Sequence, residues 1–227
     1  MYYNFWREGF LVNRNNFNYR WLYSSILVIL GISFLFIGSV SAAEKQWTGS
    51  FFDQRNLSGN SEQVSMDKIN FDWGYNAPSD TMPHYNFSAT LKKTIEGEKD
   101  YFVQTYADDG IRVKAGNQVL IDRWSGSAGT YNQALLTGLG SGEHVVQTDY
   151  YEHTGKAALY AEVVPFGDWY AYYYPNMNLE GTPSNAKVVK AQGDGSLIED
   201  HGNNAPISNV PKDKYSAKYV TAKKITA

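Results

Sequence analysis

The chain has 227 residues, with 20 Lys+Arg against 23 Asp+Glu for a formal net charge of -3. That is no basic excess for neutralising phosphates, and it argues against nucleic acid as a partner. Cys is absent, so disulfides, thiolate metal sites and cysteine nucleophiles are all excluded. Hydrophobic residues at 43% and charged residues at 19% allow a packed core and argue against wholesale disorder.

In chain order, Arg7, Arg14 and Arg20 precede an almost uninterrupted apolar run from Leu22 to Gly38. Small residues follow at Ser39, Ser41, Ala42 and Ala43. A positive region, an apolar helix and a small-residue exit form an export signal. Residues 1–43 are expected to be a signal peptide cleaved near Ala42, or a retained anchor, since the run approaches bilayer-spanning length. The rest of the chain is then secreted or held at the cell surface, touching membrane only through this segment if it is uncleaved. Residues 1–43 contain three Arg and one Glu, so the remainder carries a net charge of -5.

From Trp47 onward the pattern is all-β. Period-2 alternation runs through Tyr85–Leu91, Tyr101–Ala107, Ile111–Lys114, Val119–Ile121, His144–Tyr151 and Ala157–Val164. Asp109-Gly110 and Gly116-Asn117 are dipeptides that close two-residue hairpins, which predicts a three-stranded meander over Tyr101–Ile121. Many short strands with glycine turns point to a β-barrel or sandwich of mostly antiparallel strands.

An internal repeat organises the chain. Trp47–Phe52 with Asn56-Leu57-Ser58-Gly59 recurs as Trp169–Tyr174 with Asn178-Leu179-Glu180-Gly181. Asp72–Pro78 recurs as Asp200–Pro206, and Phe87-Ser88-Ala89 as Tyr215-Ser216-Ala217. The expected division is one complete copy over residues 44–166 and the front half of a second over 167–227. A half-copy exposes sheet edges. The chain therefore reads as a piece of a longer protein, its last segment loosely structured unless it packs on the first copy.

The first copy resembles the PA14 domain, a β-barrel module of bacterial toxins, glycosidases, cell-wall enzymes and yeast adhesins. The likeness rests on Asn70-Phe71-Asp72-Trp73-Gly74 with Ala77-Pro78, and on Tyr106-Ala107-Asp108-Asp109-Gly110-Ile111-Arg112-Val113. It continues in Val119–Trp124 and in Asp149-Tyr150-Tyr151-Glu152. In the adhesin branch, the pair matching Asp108-Asp109 is joined by a cis peptide and holds a calcium ion that bridges protein and sugar hydroxyls. The resemblance thus implies Asp108 and Asp109 as metal ligands and Ca²⁺ as the cofactor, since carboxylates suit that hard cation. Read from the residues alone, the pair is also an ordinary turn, with Asp108 accepting hydrogen bonds from its own loop. The adhesins' second loop supplies an Asn, whereas the stretch here is Glu152-His153-Thr154-Gly155-Lys156.

The expected ligand-binding set is Asp108, Asp109, Tyr131, Glu152, His153 and Trp124, with Trp124 and Tyr131 as aromatic platforms for a sugar ring. Trp73 and Trp124 also follow the family's general pattern, which suits packing. The four His form no H-E-x-x-H, there is no G-x-S-x-G, and adjacent carboxylates on one loop cannot flank a glycosidic bond. No catalysis is expected of this piece. The expected function is an exported module that binds a glycan or cell-wall polysaccharide within a larger secreted protein. The rival is a structural or protein-interaction spacer without sugar binding.

Overall fold

Side chains that alternate between large apolar and polar set the strands of the computed structural model, which describes residues 45–224. The expected signal helix and its cleavage point lie outside the described residues. Within them the fold is all-β, and every strand pairing is antiparallel. The alternation is clean in β4 (Ser88–Glu96), where Leu91, Lys93 and Ile95 turn inward between more exposed neighbours.

The first repeat is a sandwich of two sheets. One has the order β2-β1-β4-β9-β6-β7, built from β1 (Trp47–Phe52), β2 (Ser61–Met66), β6 (Gly110–Ala115), β7 (Gln118–Arg123) and β9 (Glu143–Tyr151) around β4. The other has the order β3-β10-β5-β8, from β3 (Ile69–Gly74), β5 (Tyr101–Asp108), β8 (Thr130–Leu136) and β10 (Ala157–Pro165). Between them lies an apolar core that includes Trp47, Phe51, Ile69, Leu91, Val113, Val146 and Leu159. Trp73 belongs to this scaffold. Its ring stacks on Phe71 at 4.7 Å and meets Phe51, Phe87 and Tyr150 within 6.0 Å. The buried Lys93 is paired with Glu162 at 2.8 Å across the core, the arrangement a buried charge requires.

The expected meander is only half present. Gly116-Asn117 closes the β6–β7 hairpin, with Gly116 at φ +55° and Ala115 opposite Gln118. β5 and β6, however, belong to different sheets, so Asp109-Gly110 is a corner between layers and no hairpin. Gly110 does not use the left-handed region that such a turn needs. It is small for another reason: a Cβ there would lie 2.1 Å from the Tyr151 ring.

The last segment is ordered into a third sheet, β12-β11-β13, from β11 (Trp169–Tyr174), β12 (Asn185–Val189) and β13 (Ser216–Thr221). This order repeats β2-β1-β4, and the likeness reaches single bonds. Leu57 and Leu179 have φ of 61° and 59°, and each donates its backbone N–H to a serine Oγ, Ser88 or Ser216, at 3.0 Å. The Asn76 N–H donates to the Trp73 carbonyl at 2.9 Å, as Asn204 does to His201.

Period 2 in the tyrosine-rich β11 covers both of its faces. Tyr170, Tyr172 and Tyr174 pack with Phe102, Tyr106, Ala158 and Tyr160 on the outer face of the second sheet, while Ala171 and Tyr173 face Val189 and Val210. The half-copy thus has a small core of its own on one face and covers its other face by docking on the first repeat.

Candidate functional site

Three loops meet at one rim of the sandwich: the β5–β6 corner, the β7–β8 connection at 124–129 and the β9–β10 connection at 152–156. The Asp108–Asp109 peptide bond at the corner is cis. The carboxylates of Asp108, Asp109 and Glu152 converge there, each offering an oxygen within 4.8 Å of the others. Glu152, placed by the end of β9, is fully buried, and its Oε1 has no hydrogen-bond partner. Its backbone N–H is fixed to the Phe87 carbonyl at 2.9 Å, so the side chain enters the rim from an anchored position.

Neighbouring groups hold the aspartates. The His153 backbone N–H donates to Asp109 Oδ2 at 2.8 Å. The Gly129 amide bonds to the Asp108 carboxylate, and the Tyr150 hydroxyl donates to the Asp108 backbone carbonyl. Burial, then the adjacent Asp109, push Asp108 up to about 6. Burial and the two aspartates push Glu152 up to about 8. Three carboxylates in a poorly solvated corner favour protons, or a cation that takes their place.

The other expected site residues fall in different places. His153 contributes its backbone to the rim, and its side chain is exposed. Trp124 is half-buried and meets Tyr151 edge-on at 4.9 Å, with the Arg112 guanidinium 5.0 Å above its ring. Arg112 also pairs with Asp122 at 3.2 Å in an exposed setting of little energetic weight. Tyr131 is turned toward the second repeat: its ring lies 5.0 Å from Tyr172, its hydroxyl meets that of Tyr174, and Lys218 Nζ sits 3.7 Å from its centroid. Lys156 lies over the exposed Tyr75 at 5.9 Å while lending Asp108 a positive neighbour.

Sequence reading places Glu152 among ligand-binding residues without assigning it to the metal, and it leaves out Arg55. The Arg55 guanidinium stands 5.8 Å from the Tyr151 ring and lines a hollow of about 380 Å³ with Asp53, Asn56 and Asn86. Only the fold brings the β1–β2 loop beside the end of β9. Gly110→Ala should disturb this arrangement by forcing Tyr151 aside. We expect a loss of about 1–3 kcal/mol, as for an overpacked core, read by thermal unfolding.

Comparison with known proteins places these features in a group. The anti-sigma-I factor RsgI3 of Acetivibrio thermocellus is 25% identical over 92 residues, which is 40% of this chain and 14% of that protein. A solved structure of an anti-sigma factor domain-containing protein aligns at TM-score 0.48 and 18% identity, covering 76% of this chain and 66% of its own. A structure described as a PA14 sugar-binding domain from an RTX adhesin aligns at TM-score 0.40 and 18% identity, over 54% of this chain and 91% of its own. This chain thus spans only a small part of RsgI3 and just under two thirds of the first of those structures. The PA14 domain family model matches residues 46–165, more than half of the sequence. By that match, and by the sandwich and rim it encloses, the chain belongs to the PA14 domain family.

Proposed function

We propose that the rim formed by Asp108, Asp109 and Glu152 takes up Ca²⁺ and, with the ion in place, binds hydroxyl groups of a glycan or cell-wall polysaccharide outside the cell. The observation that carries this reading is the convergence of three carboxylates within 4.8 Å, one of them buried with an unpartnered oxygen. The residues fit the ion: Asp108, Asp109 and Glu152 would hold it, and it would supply coordination positions for neutral oxygens. The half-buried Trp124, braced edge-on by the buried Tyr151, gives the rim an aromatic surface for a sugar ring. The module acts by binding and not by catalysis, and residues 1–43 direct it across the membrane.

A pull-down on insoluble cell-wall polysaccharide and a glycan array, each with calcium and with chelator, test the reading. Binding is expected with calcium, and its loss with chelator and in Asp109→Asn. Absence of binding in both conditions would leave the spacer role.

A further inference from the structure

In the second sheet β5 lies between β10 and β8, so the corner at Asp108 has a flank on either side. The 124–129 connection, which starts at Trp124, leads into β8 on one flank. On the other, Ala158 of β10 lies opposite Asp108, and Ala157 lies opposite Gly74 at the end of β3. Two strand spacings put the start of the β3–β4 connection about 10 Å from the corner.

That connection opens with Tyr75. Gly74 turns the chain through the left-handed region at φ +58°, and the Tyr75 carbonyl meets His84 Nδ1 at 3.0 Å. Trp73 anchors the end of β3 in the core, stacked on Phe71 and 5.9 Å from Tyr150. The Tyr75 side chain, by contrast, is 60% exposed, whereas Trp124 is half-buried and Tyr131 is turned toward the second repeat. Lys156 Nζ, 5.9 Å from the Tyr75 centroid, comes from the 152–156 connection that also carries Glu152, and its charge reaches Asp108. An exposed ring beside an amine suits a sugar, since the ring covers its C–H face and the amine donates to a hydroxyl.

We propose that Tyr75 is a second platform of the glycan site, on the flank opposite Trp124, so that the rim reads an internal stretch of polysaccharide and not a chain end. This rests on the calcium-dependent glycan binding set out above. The occupant is a chain of pyranoses with equatorial hydroxyls, because such rings present a flat C–H face to the tyrosine. One unit meets the cation through its hydroxyls. The unit toward β3 lies on Tyr75 and accepts a hydrogen bond from Lys156.

The probes are calcium alone and β-linked gluco-oligosaccharides of one to six units, each titrated into the purified full chain by calorimetry. With calcium present, affinity should rise about tenfold from the monosaccharide to the trisaccharide. Tyr75→Ala should abolish that rise, leaving affinity for calcium and for the monosaccharide within about twofold of the parent. Tyr75→Phe keeps the ring and should keep the rise. Tyr75 is exposed, so the fold should survive both changes, as circular dichroism and unfolding curves check. Three results would overturn the inference while leaving the cation site standing: calcium uptake with no oligosaccharide bound, affinity indifferent to chain length, or a Tyr75→Ala protein that keeps the rise. Equal losses in Tyr75→Phe and Tyr75→Ala would also overturn it, because the ring face would then not be the contact. A parent protein that takes up no calcium would sink the rim reading and this inference with it.

Discussion

Tyr172→Ala should cost about 3–5 kcal/mol, the range for removing a large aromatic side chain from a packed interior. Tyr172 is fully buried and sits at the centre of the contact between repeats, 4.9 Å from Tyr170, 5.0 Å from Tyr131 and 6.2 Å from Tyr160. For a domain of this size that loss lowers the unfolding midpoint by on the order of 10 °C. The shape of the transition is informative as well. With the tyrosine contact weakened, β11, β12 and β13 have little core of their own, so their amides should exchange with solvent well before those of β4, β5, β9 and β10. Tyr172→Phe retains the ring and removes only a hydroxyl, and it should stay within about 1 kcal/mol of the parent. Equal effects from the two substitutions, or uniform exchange across all three sheets in Tyr172→Ala, would show that the rings do not hold the segment in place.

Calcium should matter most at alkaline pH and least in acid. Asp108 and Glu152 are raised to about 6 and about 8 by burial and by their acidic neighbours. For a carboxyl whose folded value is raised, the unfolded chain ionises first. The metal-free fold therefore loses stability as pH rises from 3.8, the ordinary value of Asp108, toward about 8, and below that window the loss is absent. A bound divalent cation reverses the trend, because it favours the ionised forms. Its affinity should fall by roughly tenfold per pH unit below 8, as protons compete for Glu152, and faster below 6 as Asp108 protonates. Thermal unfolding at pH 5, 6, 7 and 8, with calcium and with chelator, reads both effects. The chelated protein should melt higher at pH 5 than at pH 8, and the gain from calcium should grow steadily with pH. A calcium effect independent of pH, or one that survives Glu152→Gln, would place the ion elsewhere.

The strands of the sandwich were legible in the sequence: the alternation in Ile111–Lys114 follows burial on a pleated surface, whereas Tyr101–Ala107 and Ala157–Val164 are buried on both faces, between the first core and the second repeat. The repeat was legible for a similar reason: Leu57 and Leu179 take the same left-handed conformation and meet the same serine, so the local sequence had to recur. Asp109-Gly110 misled because a dipeptide reports what a turn permits and is silent about which sheet the next strand joins. Tyr131 reads as a sugar platform only when Tyr172, Tyr174 and Lys218 are out of view, and they stand far along the chain. The rim divides in the same way. The adjacent aspartates are visible in one loop, but the arrival of the Glu152 carboxylate depends on β9 running beside β4 and β6, a long-range fact that no local pattern records.

The serine ties at Ser88 and Ser216 carry one further meaning. Each bonds the preceding leucine turn within its own stretch of chain, and the second does so without the strands that complete the first sandwich. The front of the module thus carries its own turn chemistry, while the second copy takes its place by laying Tyr170, Tyr172 and Tyr174 on the first. An architecture assembled from such units can grow by accretion, each addition settling on tyrosines already presented by the one before.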